Sequence, residues 1–275
     1  MRHWVRFCGR KKSARDETSI ASLLPITGQD SQTLIISANM SQEKSSFLRR
    51  LDQIVADCQL NLKWGAYSEN NLTVQAARVL VQQWGIFTRH SRRCWAYVVG
   101  NCPHVEIRKF VVTENLYEEE ALEGHSHFDL MVRMGKALGL SREEVESAKP
   151  LPSTTVALHA WETLTKNRTW YEGVAAKAVL EMTNKPECGR FSAIEGERWM
   201  RQLNLSRDDV EFWVLHDSVD QIHGDGSVRL LEKYLQSDPE REAAVQAAEE
   251  SMMAWRVYLD GIYEASVGNN PKRGD

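Results

Sequence analysis

Apolar residues recur at steps of three and four along most of the chain after Met40, which is the spacing of amphipathic α-helices. The clearest example is residues 41–61, where the repeated apolar positions are Phe47, Leu48, Leu51, Ile54, Val55 and Cys58. No stretch of useful length alternates between apolar and polar residues as a half-buried strand does, and no internal repeat is found. The pattern therefore predicts an all-α protein.

Residues that start and end helices divide this pattern into segments. Gly139 ends one predicted helix, Ser141 with Glu144 forms a capping pattern for the next, and Pro239 lies in the first turn of the last. Apart from the short helix that Ser141 opens, the predicted helices span residues 41–61, 73–99, 105–123, 127–140, 154–166, 170–182, 186–203, 208–235 and 239–265. Residues 63–72 contain a glycine and two asparagines and are predicted to be a break. We expect about seven or eight core helices in one compact bundle.

The first 39 residues differ in composition from the rest of the chain. Arginine and lysine crowd the start and are followed by sequence rich in serine and threonine. This composition fits a disordered tail or an over-extended start with Met40 as the working initiator. It also fits a targeting segment, although three acidic residues argue against that. We expect a flexible N-terminal extension (1–39), a helical domain (40–265) and a flexible C-terminal tail (266–275).

Charge and cysteine usage narrow the class of protein. The net charge of −4 and the pI of about 6.1 indicate no basic surface for nucleic acid. The five cysteines are an odd number at wide spacings without a CxxC pair, which argues against a disulfide framework and a structural zinc site. A reducing, cytoplasmic location is therefore expected. No apolar run reaches 18 residues, so no membrane span is expected. Nine tryptophans predict a core with large rings or a pocket lined by them.

One predicted helix carries residues suited to metal binding. His216, Asp220 and His223 form the pattern HxxxDxxH, at positions i, i+4 and i+7. At about 100° per residue the three side chains fall within roughly 60° of one another on one helix face. Two imidazoles and a carboxylate in one space suit a divalent first-row metal with open coordination positions. Taken alone, the motif fits equally well a surface helix with two ordinary histidines.

Two further helices carry groups of the same kind. Glu120 and His127 are seven residues apart and share a face on an unbroken helix, while Glu119 takes that place if Gly124 distorts the turn. Some acidic residues of this segment are expected to be solvated, because five are too many to bury without compensating cations. Glu181 follows an apolar stretch, where it is either a buried carboxylate that a metal would satisfy or an exposed glutamate at a helix end. A carboxylate and imidazole set without thiolates suits iron or manganese better than zinc, and it is large enough for two ions.

The order and spacing of these segments resemble a known family. The segments that carry the resemblance are residues 108–120, 127–139, 173–181 and 216–223. Together they are similar to the haem-oxygenase-like diiron oxidases and oxygenases, relatives of the thiaminase TenA and the pyrroloquinoline-quinone synthase PqqC, over about residues 41–265. The resemblance implies a haem-oxygenase-like helical bundle with a non-haem diiron site.

The resemblance implies metal ligands at six positions of this chain, which are Glu119, His127, Glu181, His216, Asp220 and His223. Counting from Asn115 selects Glu119, whereas counting back from His127 selects Glu120, because the chain is one residue longer here than the members it most resembles. Glu119 is preferred, with Glu120 as the alternative, since an insertion at a broken turn is the simpler explanation. The implied cofactors are two Fe²⁺ ions, with O₂ as cosubstrate.

The implied activity is dioxygen-dependent oxidation of a small metabolite such as an amino acid, an amine or a fatty acid, by N-oxygenation, desaturation or C–C cleavage. Arg78, Arg190 or Arg198 could hold a substrate carboxylate, or each could be a surface arginine. Besides the small-molecule substrate, an external electron donor and a second copy of the chain remain open as partners. No nucleic-acid or membrane partner is expected.

Two other classes of function stay open. A metal-free enzyme of the TenA or PqqC kind would need a nucleophile such as Cys94 or Cys188, and neither has a recognisable partner in the sequence. A non-catalytic helical interaction protein would use its histidines structurally. Metal analysis separates these classes.

Overall fold

The computed structural model describes residues 45–120 and 124–268, apart from the side chains of residues 218–222. Over these residues it contains 12 helices and no strand, which confirms the all-α prediction. The predicted N-terminal extension lies outside the described residues, as do residues 269–275 of the predicted C-terminal tail. These domain boundaries therefore stay predictions.

The helices follow one another with short connections. In chain order they are α1 (Ser46–Leu60), α2 (Lys63–Asn71), α3 (Val74–Asn101), α4 (Val105–Phe110), α5 (Tyr117–Glu120), α6 (His127–Ala137), α7 (Arg142–Glu146), α8 (Pro152–Lys166), α9 (Trp170–Met182), α10 (Phe191–Leu203), α11 (Glu211–Tyr234) and α12 (Asp238–Gly268). A π-helical turn, Val111–Leu116, joins α4 to α5, and a 3₁₀ turn, Pro186–Cys188, precedes α10.

Short polar side chains cap the start of several of these helices. They accept hydrogen bonds from backbone N–H groups that have no partner inside the helix. Ser45 caps α1, and Ser126 caps α6 through the N–H of Asp129. Ser141 and Glu144 form the predicted capping box at α7. A cap of this kind contributes about 1 kcal/mol and fixes the residue at which a helix begins. For α6 that first residue is His127.

Helix α9 lies at the centre of the bundle. It packs most extensively against α12 and α11, and every residue from Gly173 to Leu180 is buried. A helix that is apolar on all sides is buried on all sides, which is what this composition indicates. A polar side chain within Gly173–Leu180 is therefore held inside the protein, as that of Lys177 is, and the half-buried Glu181 follows this run directly.

Residues 63–72, predicted to be a break, form helix α2, so that prediction was wrong. The side chain of Trp64 is fully buried, and its Nε1 donates a hydrogen bond to Glu195 Oε2 on α10 at 3.1 Å. Ser68 Oγ, one turn later, donates to the other oxygen of the same carboxylate at 2.8 Å. These contacts with a distant helix outweigh the weak helix propensity of the glycine and asparagines.

The predicted helix over residues 186–203 is interrupted. Gly189 has φ +110° and Arg190 has φ +49°, both in the left-handed region, so the chain turns before α10 begins at Phe191. The turn places the Phe191 ring parallel to Trp84, with the ring centroids 5.9 Å apart and the planes 8° apart. The break therefore puts an aromatic side chain into the interior.

Among the helices that the structure describes, none combines the length and the apolar composition that crossing a membrane requires.

Candidate metal centre

A π-helical turn sets the direction of the acidic helix. The wider turn at Val111–Leu116 precedes α5, where Glu118 and Glu119 are 17% and 8% exposed and point to the interior. Glu120 is about half exposed and pairs with Arg92 at 3.0 Å. Turns of this type occur frequently at functional sites because they re-aim the side chains that follow.

Glu118, His127 and His216 form a cluster of potential ligands, here called the metal cluster. One donor atom from each lies within 4.8 Å of the others. Glu118 Oε1 is 3.3 Å from His127 Nε2. His216 Nδ1 lies 2.6 Å from the Phe212 carbonyl oxygen, an acceptor, so this nitrogen carries the proton and Nε2 keeps its lone pair. The three residues come from α5, α6 and α11, which meet at this point.

His223 approaches the other side of Glu118. Its Nδ1 atom is 3.0 Å from Glu118 Oε2, and its side chain is buried. The two oxygens of Glu118 therefore face imidazoles of two different helices. Helix α11 packs closely on α4, which leads into the acidic segment, because Gly226 lies against Phe110, where an added Cβ would be 2.3 Å from a ring carbon.

Glu119 lies behind His127. Its Oε2 atom is 3.4 Å from His127 Nδ1, and its Oε1 accepts a hydrogen bond from Ser91 Oγ at 2.5 Å. Ser91 in turn accepts one from Lys177 Nζ at 2.6 Å. A carboxylate on Nδ1 of a metal-binding histidine fixes the ring and leaves Nε2 free for the metal.

Glu181 faces the same interior space from α9. Its Oε1 accepts a hydrogen bond from Asn115 Nδ2 at 2.8 Å, and it lines the cavity that the metal cluster borders. Asn115 belongs to the π-helical turn, so this contact joins the central helix to the acidic helix.

The structure thus brings together five of the predicted ligands, which are Glu119, His127, Glu181, His216 and His223. The side chain of Asp220 is outside the described residues. Glu120, the alternative, lies at the surface with Arg92. Glu118 was not among the predicted ligands. Helical spacing gave no signal for it, because a π-helical turn precedes it and a connection separates it from His127.

Burial and neighbouring charges shift the pKa values of Glu118 and His127 in opposite directions. Burial lowers the pKa of His127, but the contacts with Glu118 and Glu119 raise it to about 10. Burial raises the pKa of Glu118, but the contacts with His127 and His223 outweigh this and hold it far below its usual range. Burial, together with the charge of His127, lowers the pKa of His216 to about 4. Without a metal, a proton on His127 therefore balances the carboxylates.

The donor atoms fit a cation. Glu118 Oε1 and His127 Nε2 are buried, and neither makes a directed hydrogen bond within the described part of the chain. Buried polar atoms are normally satisfied, so a pair of facing atoms in this state calls for a ligand between them. A divalent ion would replace the His127 proton and satisfy both atoms.

A cavity of about 70 Å³ borders the metal cluster. Its aromatic walls are Trp84, Phe87, Trp95, Phe191, Phe212 and Trp255. The sequence predicted that tryptophans form the core or line a pocket, and they do both. Trp84, Trp95 and Trp255 line the cavity, and four others are fully buried in the core: Trp64, Trp161, Trp199 and Trp213. Apolar walls of this kind exclude water from the polar end of the site.

The side chains proposed for other roles lie elsewhere. Arg78 donates to the Leu138 carbonyl at 2.7 Å, Arg190 pairs with Asp217 at 3.1 Å and Arg198 with Glu195 at 3.0 Å, and none of these arginines lines the cavity.

The cysteines do not support nucleophilic catalysis in this cavity. Cys94 is buried, its Sγ is 3.5 Å from His90 Nδ1, and burial raises the pKa of its thiol. Cys188 Sγ donates to the Asp52 carbonyl at 3.7 Å. None of the described cysteines lines the cavity, so Cys94 and Cys188 are not placed to act as nucleophiles there.

Fold and site together define a helical protein with a buried carboxylate and imidazole cluster, whose donor atoms fit a metal, inside a haem-oxygenase-like bundle. A solved structure from Shewanella denitrificans, a domain of unknown function with a heme oxygenase-like fold, superposes with a TM-score of 0.69 at 14% identity, covering 86% of this chain and 99% of that one. The family model described as iron-containing redox enzyme matches residues 78–256, and the chain belongs to this family. The family and fold resemblance found in the sequence is thereby confirmed.

Two curated relatives are enzymes. The 4-aminobenzoate synthase of Nitrosomonas europaea is 25% identical over 239 residues, which cover 82% of this chain and 94% of the relative. The pyrroloquinoline-quinone synthase of Cronobacter sakazakii is 27% identical over 128 residues, which cover 42% of this chain and 51% of the relative.

Proposed function

We propose that the protein is a non-haem diiron oxygenase or oxidase that uses dioxygen to oxidise a small metabolite: an amino acid, an amine or a fatty acid. The observation that carries the proposal is the position of Glu118, whose two oxygens lie 3.3 Å from His127 Nε2 and 3.0 Å from His223 Nδ1. A carboxylate placed between imidazoles of two helices would help to hold two metal ions. Membership of the iron-containing redox enzymes supports iron as the metal.

The side chains that would hold the iron ions are Glu118, His127, Glu181, His216 and His223, with Asp220 as the predicted sixth. We assign Glu119 to the orientation of His127, because its carboxylate contacts Nδ1 and not the side of the ring that faces the metal cluster. Nitrogen and carboxylate donors without thiolate suit Fe²⁺, and an incomplete shell leaves positions open for dioxygen.

Iron bound in this site would supply the redox chemistry with dioxygen. The chain itself holds and orients the groups around it. Glu119 accepts the Nδ1 proton of His127, and the Phe212 carbonyl accepts that of His216, so both rings present Nε2 to the same point. The aromatic walls of the cavity exclude water and surround the apolar part of a substrate.

The relatives support a biosynthetic role. They are named as synthases of 4-aminobenzoate and of pyrroloquinoline quinone, and the first of them aligns over most of both chains. N-oxygenation, desaturation and C–C cleavage remain the reactions we propose for the site. A cytoplasmic location, an external electron donor and a homodimer stay predictions.

Anaerobic titration with Fe²⁺ followed by exposure to dioxygen tests the proposal. We expect two iron ions per chain, and oxygen consumption that a member of a panel of amino acids, amines and fatty acids accelerates. Binding of at most one ion with iron in excess would contradict the diiron assignment. Two bound ions without any reaction with dioxygen would contradict the oxygenase assignment.

A further inference from the structure

Lys177 is a cation inside the most buried helix of the protein. It is 3% exposed, and its neighbours on α9 from Gly173 to Leu180 are all buried. Its ammonium carries three N–H groups. Within the part of the chain that the structure describes, Ser91 Oγ is the hydrogen-bond acceptor that it reaches, at 2.6 Å. The rings of Trp95 and Phe87 lie 5.0 Å and 5.8 Å from Nζ.

The same lysine lines the aromatic cavity beside the metal cluster. Among the residues that form the cavity wall, Lys177 is the one with an amino side chain, next to the carboxylates and imidazoles of the metal site. Burying an ammonium is costly unless its N–H groups are used. The two cation–π contacts offset a part of this cost, but they leave N–H groups available for an acceptor in the cavity.

A purely structural role would make Lys177 the counter-ion of Glu119. The two groups are not in direct contact, because the hydroxyl of Ser91 lies between them and Glu119 uses its other oxygen on His127. Ser91 therefore donates its only hydroxyl proton to Glu119. It accepts one hydrogen bond from Lys177, which positions the ammonium and leaves its other N–H groups available. The geometry leaves an anion-binding position at the cavity end of Lys177.

The charge of the loaded site points the same way, a step that rests on the proposed function. Two divalent ions would bring four positive charges, which Glu118, Glu119, Glu181 and Asp220 can balance. Lys177 then remains as an uncompensated cation in a low-dielectric space, where its attraction for an anion is strong.

We infer that Lys177 is the residue that binds the carboxylate of the substrate, and that the substrate class is therefore a small carboxylic acid with an apolar body. The aromatic walls surround that body, while the metal cluster faces it from the same cavity. A cavity of about 150 Å³ holds benzene, whereas this one measures about 70 Å³. A ring therefore requires a wall residue to move, whereas a shorter aliphatic acid needs less rearrangement of the walls.

Matched pairs of a carboxylate and its neutral amide test this inference by binding. The ligands are butyrate with butyramide and benzoate with benzamide, titrated into the anaerobic iron-loaded protein and followed by tryptophan fluorescence. We expect the carboxylate of at least one pair to bind tenfold or more tightly than its amide. Lys177→Met should remove this preference while amide binding is retained, because a charged hydrogen bond is lost.

Lys136→Met, which changes an exposed lysine on α6, is the matched control and should keep the preference. Absence of a preference in the wild type, or a preference that survives in Lys177→Met, would overturn the inference. If Lys177→Met does not fold, Lys177→Gln and the wild-type comparison decide. Iron content measured on the same samples separates a failure of the metal site from a failure of the carboxylate site.

Discussion

Glu119 contacts His127 through Nδ1 at 3.4 Å, so the opposite nitrogen of the ring is the one that faces the metal cluster. Glu118, the preceding residue, lies 3.3 Å from that opposite nitrogen. One imidazole is therefore held between two consecutive carboxylates. The two carboxylates therefore have different roles. Glu119 orients the ring, and Glu118 is placed to share a cation with it.

The first prediction concerns Glu118. Glu118→Gln should lower the iron content of the reconstituted protein by at least one ion per chain, because an amide is a poor replacement for a carboxylate that faces two imidazoles. Glu120→Gln, two residues further along, changes an exposed glutamate paired with Arg92 and should bind iron as the wild type does. Equal iron content in both variants would remove Glu118 from the site.

The second prediction separates orientation from ligation at Glu119. Glu119→Ala should weaken iron binding by about 10- to 100-fold, the usual effect of removing a carboxylate behind a metal-binding histidine. The number of ions bound at saturation should stay the same. A stoichiometry reduced at saturating iron would instead make Glu119 a ligand, as the family resemblance implies.

The third prediction concerns the carboxylate between the histidines of α11. Asp220→Ala should remain helical and soluble, bind less iron and lose oxygen-dependent turnover, because Asp220 shares a helix face with His216 and His223. Asp217→Ala removes a surface partner of Arg190 and should have neither effect. Iron analysis and circular dichroism of both variants check this. Unchanged iron content in Asp220→Ala would show that the helix supplies no carboxylate.

The fourth prediction concerns the packing of α11 on α4, the helix that leads into the acidic segment. Gly226→Ala should destabilise the protein by about 1–3 kcal/mol, a typical cost of overpacking, because the new methyl group collides with Phe110. Gly100→Ala, at a helical glycine with no neighbour within 4 Å of the added Cβ, should stabilise it by up to about 1 kcal/mol. Denaturant unfolding of the two variants provides the measurement. If Gly226→Ala left the free energy of unfolding unchanged, the helices that carry Gly226 and Phe110 could move apart without cost.

Periodicity and motif spacing were enough to predict the fold class and the helix that carries both histidines. His216 and His223 lie on the same side of α11, where a period of 3.6 residues places them. The resemblance added Glu181 on the central helix, and a contact with Asn115 holds it at the cavity. The helix periodicity and the spacing of the two histidines depend on local sequence, which is why they could be predicted.

Other features depend on contacts between distant segments. Trp64 turns a predicted break into α2 through Glu195, which lies 131 residues further along the chain. The sequence shows Lys177 within the apolar run from Gly173 to Leu180, but it does not show that Ser91 is its hydrogen-bond partner. A buried lysine in such a run is a signal that could have been used, since lysine is almost never fully buried without a partner.

The π-helical turn at Val111–Leu116 holds one residue more than an α-helical turn in its place would. Removing one residue there would close the turn to an ordinary α-helix and leave the helix after it in nearly its present orientation, because five residues at about 100° each sweep the same angle as six residues of the wider turn. Glu118 and Glu119 would then still face inward. A chain built this way can gain or lose one residue ahead of its metal site, so homologous ligands in its relatives need not lie the same number of residues from a shared motif.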